Sequence, residues 1–185
     1  MENIQTPRLR IDADLLQGEQ VEHSRRTIAD IRTIFEDQQA AGQLPQQALA
    51  YEVDSFLPEA EGTPGGLYFG ITRIHPEMVG DEYMMTKGHF HAQVDRSEFY
   101  WGICGEGILL LMDAQRNCRA ERVTPGSLHY IPGGIAHRMI NTGNAVFSFG
   151  ACWPSDAGHD YQSIAHDGFS ARVKRIDGQP TLCKA

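Results

Sequence analysis

Apolar and polar positions along the chain fall into two textures, with the change near residue 67. Within residues 24–41, Ile28, Ile31, Ile34 and Phe35 recur at three- and four-residue intervals. That spacing predicts one helix, with Ser24 as its N-cap and Gly42 just past its end. Its apolar stripe would pack against the outside of the main body. Residues 58–66 read as a loop from their Pro and Gly content. From Leu67 onward, short apolar or alternating runs are separated by turn residues. The runs 67–74, 82–86, 98–103, 108–113, 127–132 and 145–153 read as strands, and 171–176 alternates like another. Glycine-containing breaks at 104–107, 124–126 and 141–144 fit hairpins and corners. The expected architecture is an all-β barrel or sandwich preceded by a helical and extended arm.

The length, 185 residues, suits one domain with a substantial core. We expect an arm over about 1–50 and a barrel over about 51–178. A formal charge of −8 argues against a nucleic-acid partner, because a phosphate backbone needs a basic footprint. The four cysteines, Cys104, Cys118, Cys152 and Cys183, form no CxxC pair, and no apolar run is long enough for a membrane span. The expectation is a reduced cytoplasmic protein with no membrane partner.

Two segments carry candidate chemistry. In Gly88-His89-Phe90-His91 the two histidines are at i and i+2, which on a strand share one face and can meet one ion. Glu98 follows seven positions after His91, and Gly105 comes after it. Further on, Gly126, Pro132, Gly134, His137 and Asn141 punctuate a second segment. Together these resemble the two cupin motifs, HxH…E…G and G(x)5PxG(x)2H(x)3N; the one departure is a longer gap between His91 and Glu98. The resemblance implies a cupin barrel, the jelly-roll or double-stranded β-helix. It makes His89, His91, Glu98 and His137 the candidate ligands of one divalent metal ion. Three imidazoles and a carboxylate suit Fe, Mn, Zn, Ni or Co. His23, His75 and His166 read as solvated residues, and His129 as part of a core or wall.

A narrower resemblance covers residues from about Tyr68 to Phe169. It is carried by 68-YFGITRIHP-76, 85-MTKGHFHA-92, 95-DRSEFYWGICGEG-107, 136-AHRMINTG-143 and 154-PSDAGHDYQSIAHDGFS-170. These phrases resemble the cupin-type phosphoglucose isomerases. The resemblance implies the same four metal ligands, with iron first among the ions, and a homodimer. It implies a sugar phosphate held by Thr72, Thr86, Gly88, Tyr100 and Tyr161, with Tyr51 beside them. His159 and Tyr161 belong to the GHDY phrase that lines the family's pocket. Trp153 stands where the family carries tyrosine, Gly134 where it carries an aromatic residue, and Met139 where it carries threonine. Thr86, Gly88 and His89 are nearly adjacent, so phosphate and metal would sit near opposite ends of one short sugar.

The implied reaction is interconversion of glucose 6-phosphate and fructose 6-phosphate. A metal would stabilise a cis-enediol(ate), or hold both oxygens during a hydride shift. Glu98 is the candidate proton carrier between C2 and C1, although metal coordination lowers carboxylate basicity. His159 would move a proton at the ring oxygen or a hydroxyl. Isomerisation of mannose 6-phosphate, an iron-dependent dioxygenase and a sugar-storage protein are the alternatives.

Overall fold

A computed structural model describes residues 4–185. Its elements are predominantly strands, and together they form the expected all-β cupin barrel. One six-stranded antiparallel sheet runs in the order Leu128–Ile131, Glu98–Cys104, Phe147–Pro154, Leu67–Ile74, Leu49–Phe56, Val21–Thr27. A three-stranded sheet orders Cys118–Val123, Gly107–Met112 and Ala136–Asn141. The hairpin Ala171–Ile176 with Gln179–Lys184 heads a four-stranded sheet. That hairpin turns through Asp177 and Gly178, both at positive φ, which a two-residue turn matched to strand twist requires.

The expected helix over 24–41 is not continuous. Val21–Thr27, including Ser24, is a strand paired with Leu49–Phe56, so the arm adds a strand to the barrel's largest sheet. Helix begins only at Ile28, where the Asp30 carboxylate accepts hydrogen bonds from the N–H and hydroxyl of Thr27. It lasts one turn, passes into a 3-10 turn at Arg32–Ile34, and resumes at Gln38–Gln43, which contains Gly42. Ile28, Ile31 and Phe35 are nonetheless buried. The apolar spacing reported burial correctly, but two short turns satisfy it as well as one long helix. The expected strand over 82–86 is also shorter, covering Glu82–Tyr83, with a single bridge from Met85 to Ile140.

The core lies between the sheets. Leu109, Leu111 and Ile140 from the small sheet meet Ile74, Phe147 and Phe149 from the large one. Fully burying such a side chain contributes about 1.5–3 kcal/mol relative to exposure. All four cysteines are free. Among the described residues, no helix is long and apolar enough to cross a membrane.

Candidate metal centre and its pocket

Strand alternation builds the pocket. Along the six-stranded sheet every second side chain faces inward: Ser24 and Arg26, Tyr51, Val53 and Ser55, Gly70 and Thr72, Glu98 and Tyr100, then Phe149, Ala151 and Trp153. Cross-strand register puts Val53 opposite Thr72, and Thr72 opposite Phe149. The facing wall is the irregular segment Thr86–His91. It is anchored to the strand Ala136–Asn141 by Thr86 N–H to Met139 O (2.9 Å) and by paired bonds between His89 and His137 (3.2 and 3.0 Å). His159 and Tyr161 close the side. The cavity they line is about 370 Å³.

Three elements deliver the four candidate ligands. One ligand atom from each of His89, His91, Glu98 and His137 lies within 4.8 Å of the others, so the group could hold a metal ion. Glu98 Oε1 is 3.2 Å from His91 Nε2 and 2.6 Å from His137 Nε2. Short as the second contact is, Glu98 Oε1 and His137 Nε2 do not meet hydrogen-bond geometry and are buried without a partner. Unsatisfied buried polar atoms are rare, and a cation at this point would satisfy both. The Nδ1 atoms of His91 and His137 face the carbonyls of Arg96 (2.8 Å) and Ile135 (3.1 Å). Those contacts leave each Nε2 free to ligate, the usual second support of a metal-binding histidine. The residues present fit a divalent ion.

Electrostatics agree with that fit. Burial alone would raise the Glu98 carboxyl, but the imidazoles of His137 and His91 outweigh it and hold it at about 2. Burial, reinforced by the surrounding His137, His159 and His91, pushes His89 well below the ordinary histidine range, so it is a neutral donor. His91 is likewise disfavoured by burial, yet the neighbouring Glu98 carboxylate leaves it raised. Burial also lowers His159, with His91 adding to the effect.

The remaining expected site residues converge here as well. Tyr51, Thr72, Thr86, Gly88, Tyr100, Trp153, His159 and Tyr161 all line the same cavity. Burial lifts the Tyr51 phenol to about 12, and burial plus the Glu98 charge lifts Tyr100 far above its ordinary range. Both are permanent hydrogen-bond donors at neutral pH. His159 lies 4.4 Å from the His89 ring and stacks on Tyr161 at 5.7 Å, the planes 7° apart. Gly134 does not line the cavity; it packs near Val94. Of the other histidines, His166 is solvated, and His129 is a wall residue bonded to Glu121 and Ser127. His23 and His75 are less free than expected, contacting Asp54 and Glu52.

Two cations in the cavity wall, Arg26 and Lys87, were not expected. Arg26 is the cross-strand partner of Tyr51 and was hidden by the helix reading of its segment. The signal for Lys87 was present: it lies between Thr86 and Gly88, both already singled out.

Fold and site together define a cupin barrel with a candidate three-histidine, one-glutamate centre at the wall of a pocket of mixed polar and apolar lining. The family model for glucose-6-phosphate isomerase (GPI) matches residues 25–183. A glucose-6-phosphate isomerase of Thermococcus kodakarensis is 42% identical over 155 residues, covering 83% of this chain and 81% of that protein. The enzyme of Thermococcus litoralis is 39% identical over 163 residues, covering 87% and 85%. A bacterial one, from Sinorhizobium medicae, is 34% identical over 156 residues, covering 83% and 72%. The chain belongs to the glucose-6-phosphate isomerase family.

Proposed function

We propose that the chain interconverts glucose 6-phosphate and fructose 6-phosphate with one divalent ion held by His89, His91, Glu98 and His137. The observation that carries the reading is a single cavity lined both by members of the ligand group and by phenols, hydroxyls and two cations. The bound ion would supply Lewis-acid stabilisation of negative charge on neighbouring substrate oxygens. Iron is the first ion to test.

The phosphate would be gripped by the hydroxyls of Thr72, Thr86, Tyr51 and Tyr161 and by the Gly88 N–H. Lys87, whose Nζ is 6.0 Å from the Tyr161 ring centroid, and Arg26 would add charge. Tyr100 and Trp153 would flank the sugar. His159, kept neutral by burial, would take a proton from a sugar hydroxyl or return it to the ring oxygen. Glu98 is the only carboxylate among the described lining residues, so it is the candidate to carry hydrogen between C2 and C1. Substrate deuterated at C2 reads that role: full retention of label in product would remove proton exchange and leave a hydride shift.

The overall proposal is tested by stripping metal, restoring Fe, Mn, Zn, Ni or Co separately, and following fructose 6-phosphate conversion. Activity is expected with at least one ion; none with any of them would overturn the reading.

We also propose a homodimer working in the cytoplasm. Supporting the dimer is the outer face of the large sheet, where Phe99 pairs across strands with Tyr130 and Trp101 with Leu128. Phe99, Tyr130 and Leu128 are exposed, and such contiguous apolar surface marks interaction sites. Light scattering reads the dimer directly, and a monomer at micromolar concentration would remove it. The free thiols support a reducing compartment.

A further inference from the structure

Arg138 is 5% exposed, and no carboxylate pairs with it among the described residues. Its Nη1 donates to Met85 Sδ (3.0 Å) and its Nη2 to Lys87 O (2.5 Å), while Nε is buried with no partner. The guanidinium carbon lies 4.3 Å from the Phe169 ring centroid. The nearby Glu82 carboxylate is engaged by Arg172 at 2.6 Å. A buried guanidinium left without a carboxylate is costly, so its one strong contact matters.

That contact is to a particular peptide. Lys87 O belongs to the peptide unit that carries the Gly88 N–H. In a trans peptide the carbonyl and the N–H point to opposite sides. With its oxygen held by Arg138, this unit turns the Gly88 N–H away from the guanidinium, and Gly88 lines the cavity. The Gly88 N–H donates to no other described residue. A Cβ at position 88 would come within 3.0 Å of Arg138 Nε and 2.8 Å of Phe169 Cε2. Bare glycine backbone is therefore what separates the guanidinium from the cavity.

We propose that Arg138 is the positioning residue of the phosphate site: through Lys87 O it orients and polarises the peptide whose Gly88 N–H meets the phosphate. A charge-assisted bond on the carbonyl strengthens the N–H of the same unit as a donor. The buried charge adds attraction for a dianion behind that donor. The inference rests on the reading of Gly88 as a phosphate contact.

Steady-state kinetics on the metal-loaded enzyme test it, with fructose 6-phosphate as substrate and inorganic phosphate as competing probe. R138M should raise KM and the phosphate inhibition constant together by roughly 10- to 100-fold, the worth of one charge-assisted hydrogen bond, with kcat changed less than about threefold. R138K, still able to donate to Lys87 O, should recover much of the loss, and metal content should not change. A packing defect at this site would not confine itself to phosphate affinity. Unchanged KM and phosphate constant in R138M overturn the proposal and leave the isomerase reading standing. No conversion of fructose 6-phosphate by the unaltered enzyme fails that reading, and the inference with it. Should R138M not fold, amide NMR of the unaltered, zinc-loaded protein decides: inhibitory phosphate must shift the Gly88 amide, and an unmoved signal overturns the proposal.

Discussion

Glu98 Oε1 stands 2.6 Å from His137 Nε2, and both atoms are buried without completing a hydrogen bond. The carboxyl is nevertheless held at about 2, so it is ionised at any physiological pH, although burial opposes this. A carboxylate in that position needs a cation more than it needs a proton. Chelation should therefore lower Tm. A ligand at a hundred times its Kd contributes about 2.7 kcal/mol, which for a chain of this size is a shift of roughly 5–10 °C. Melting the protein with and without EDTA measures it, and Glu98→Gln should make the two curves coincide. Identical melting of the unaltered protein under both conditions would remove the metal from the account.

Gly88→Ala should damage both stability and substrate affinity. The glycine sits at φ 74°, and an added Cβ would press on Phe169 and Arg138 at 2.8 and 3.0 Å. A residue forced into that region costs on the order of 1–3 kcal/mol. The expected outcome is a lower Tm by circular dichroism and a raised KM for fructose 6-phosphate. Wild-type values for both would show that the segment has room the packing denies.

The candidate ligand group was legible in sequence because its histidines are tied to backbone features that leave a mark: the i, i+2 pair at His89 and His91, the glycines and proline before His137. Thr86, Tyr100 and Tyr161 were legible only through resemblance, since a lone threonine or tyrosine carries no signal of the wall it faces. Arg26 was lost for a physical reason. Ile28, Ile31 and Phe35 are buried just past a strand end, and the helix their spacing predicts starts at Ser24, so residues 24–27 of the strand Val21–Thr27 read as helix. Arg138 was invisible because its role depends on a contact to Lys87 O, 51 positions away.

Arg172, only half-buried itself, should prove a large determinant of stability. Its Nη1 lies 2.6 Å from Glu82 Oε1, and Glu82 is completely buried while also accepting the Glu36 N–H at 2.6 Å. Removing the cation strands a buried carboxylate, which costs about 3–5 kcal/mol. Urea unfolding of Arg172→Met should show a loss of that order. Arg172→Met combined with Glu82→Gln should be less damaging than Arg172→Met alone, because the stranded charge is gone. A double-variant loss equal to the sum of those of Arg172→Met and Glu82→Gln alone would mean the pair is not coupled.

Asp54 should govern acid stability of the large sheet. It is buried, with Arg73 donating to both carboxylate oxygens (2.6 and 2.9 Å), Leu16 N–H at 3.2 Å and His23 Nδ1 at 2.8 Å. Burial pushes its carboxyl upward, but the bonds from Arg73, His23 and Leu16 outweigh that and hold it below the ordinary value of 3.8. A folded-state value below the unfolded one means the unfolded chain binds the proton first. The contribution of Asp54 is then complete above about pH 5 and is lost as pH falls below about 4 through the folded-state value. Asp54→Asn should be less stable than the unaltered protein at neutral pH, because Arg73 loses its charge partner. The gap between the two should narrow as acid protonates Asp54. A gap in unfolding free energy that stays constant down to about pH 2.5 would show that Asp54 titrates alike in both states, and that the Arg73 pair does not shift it.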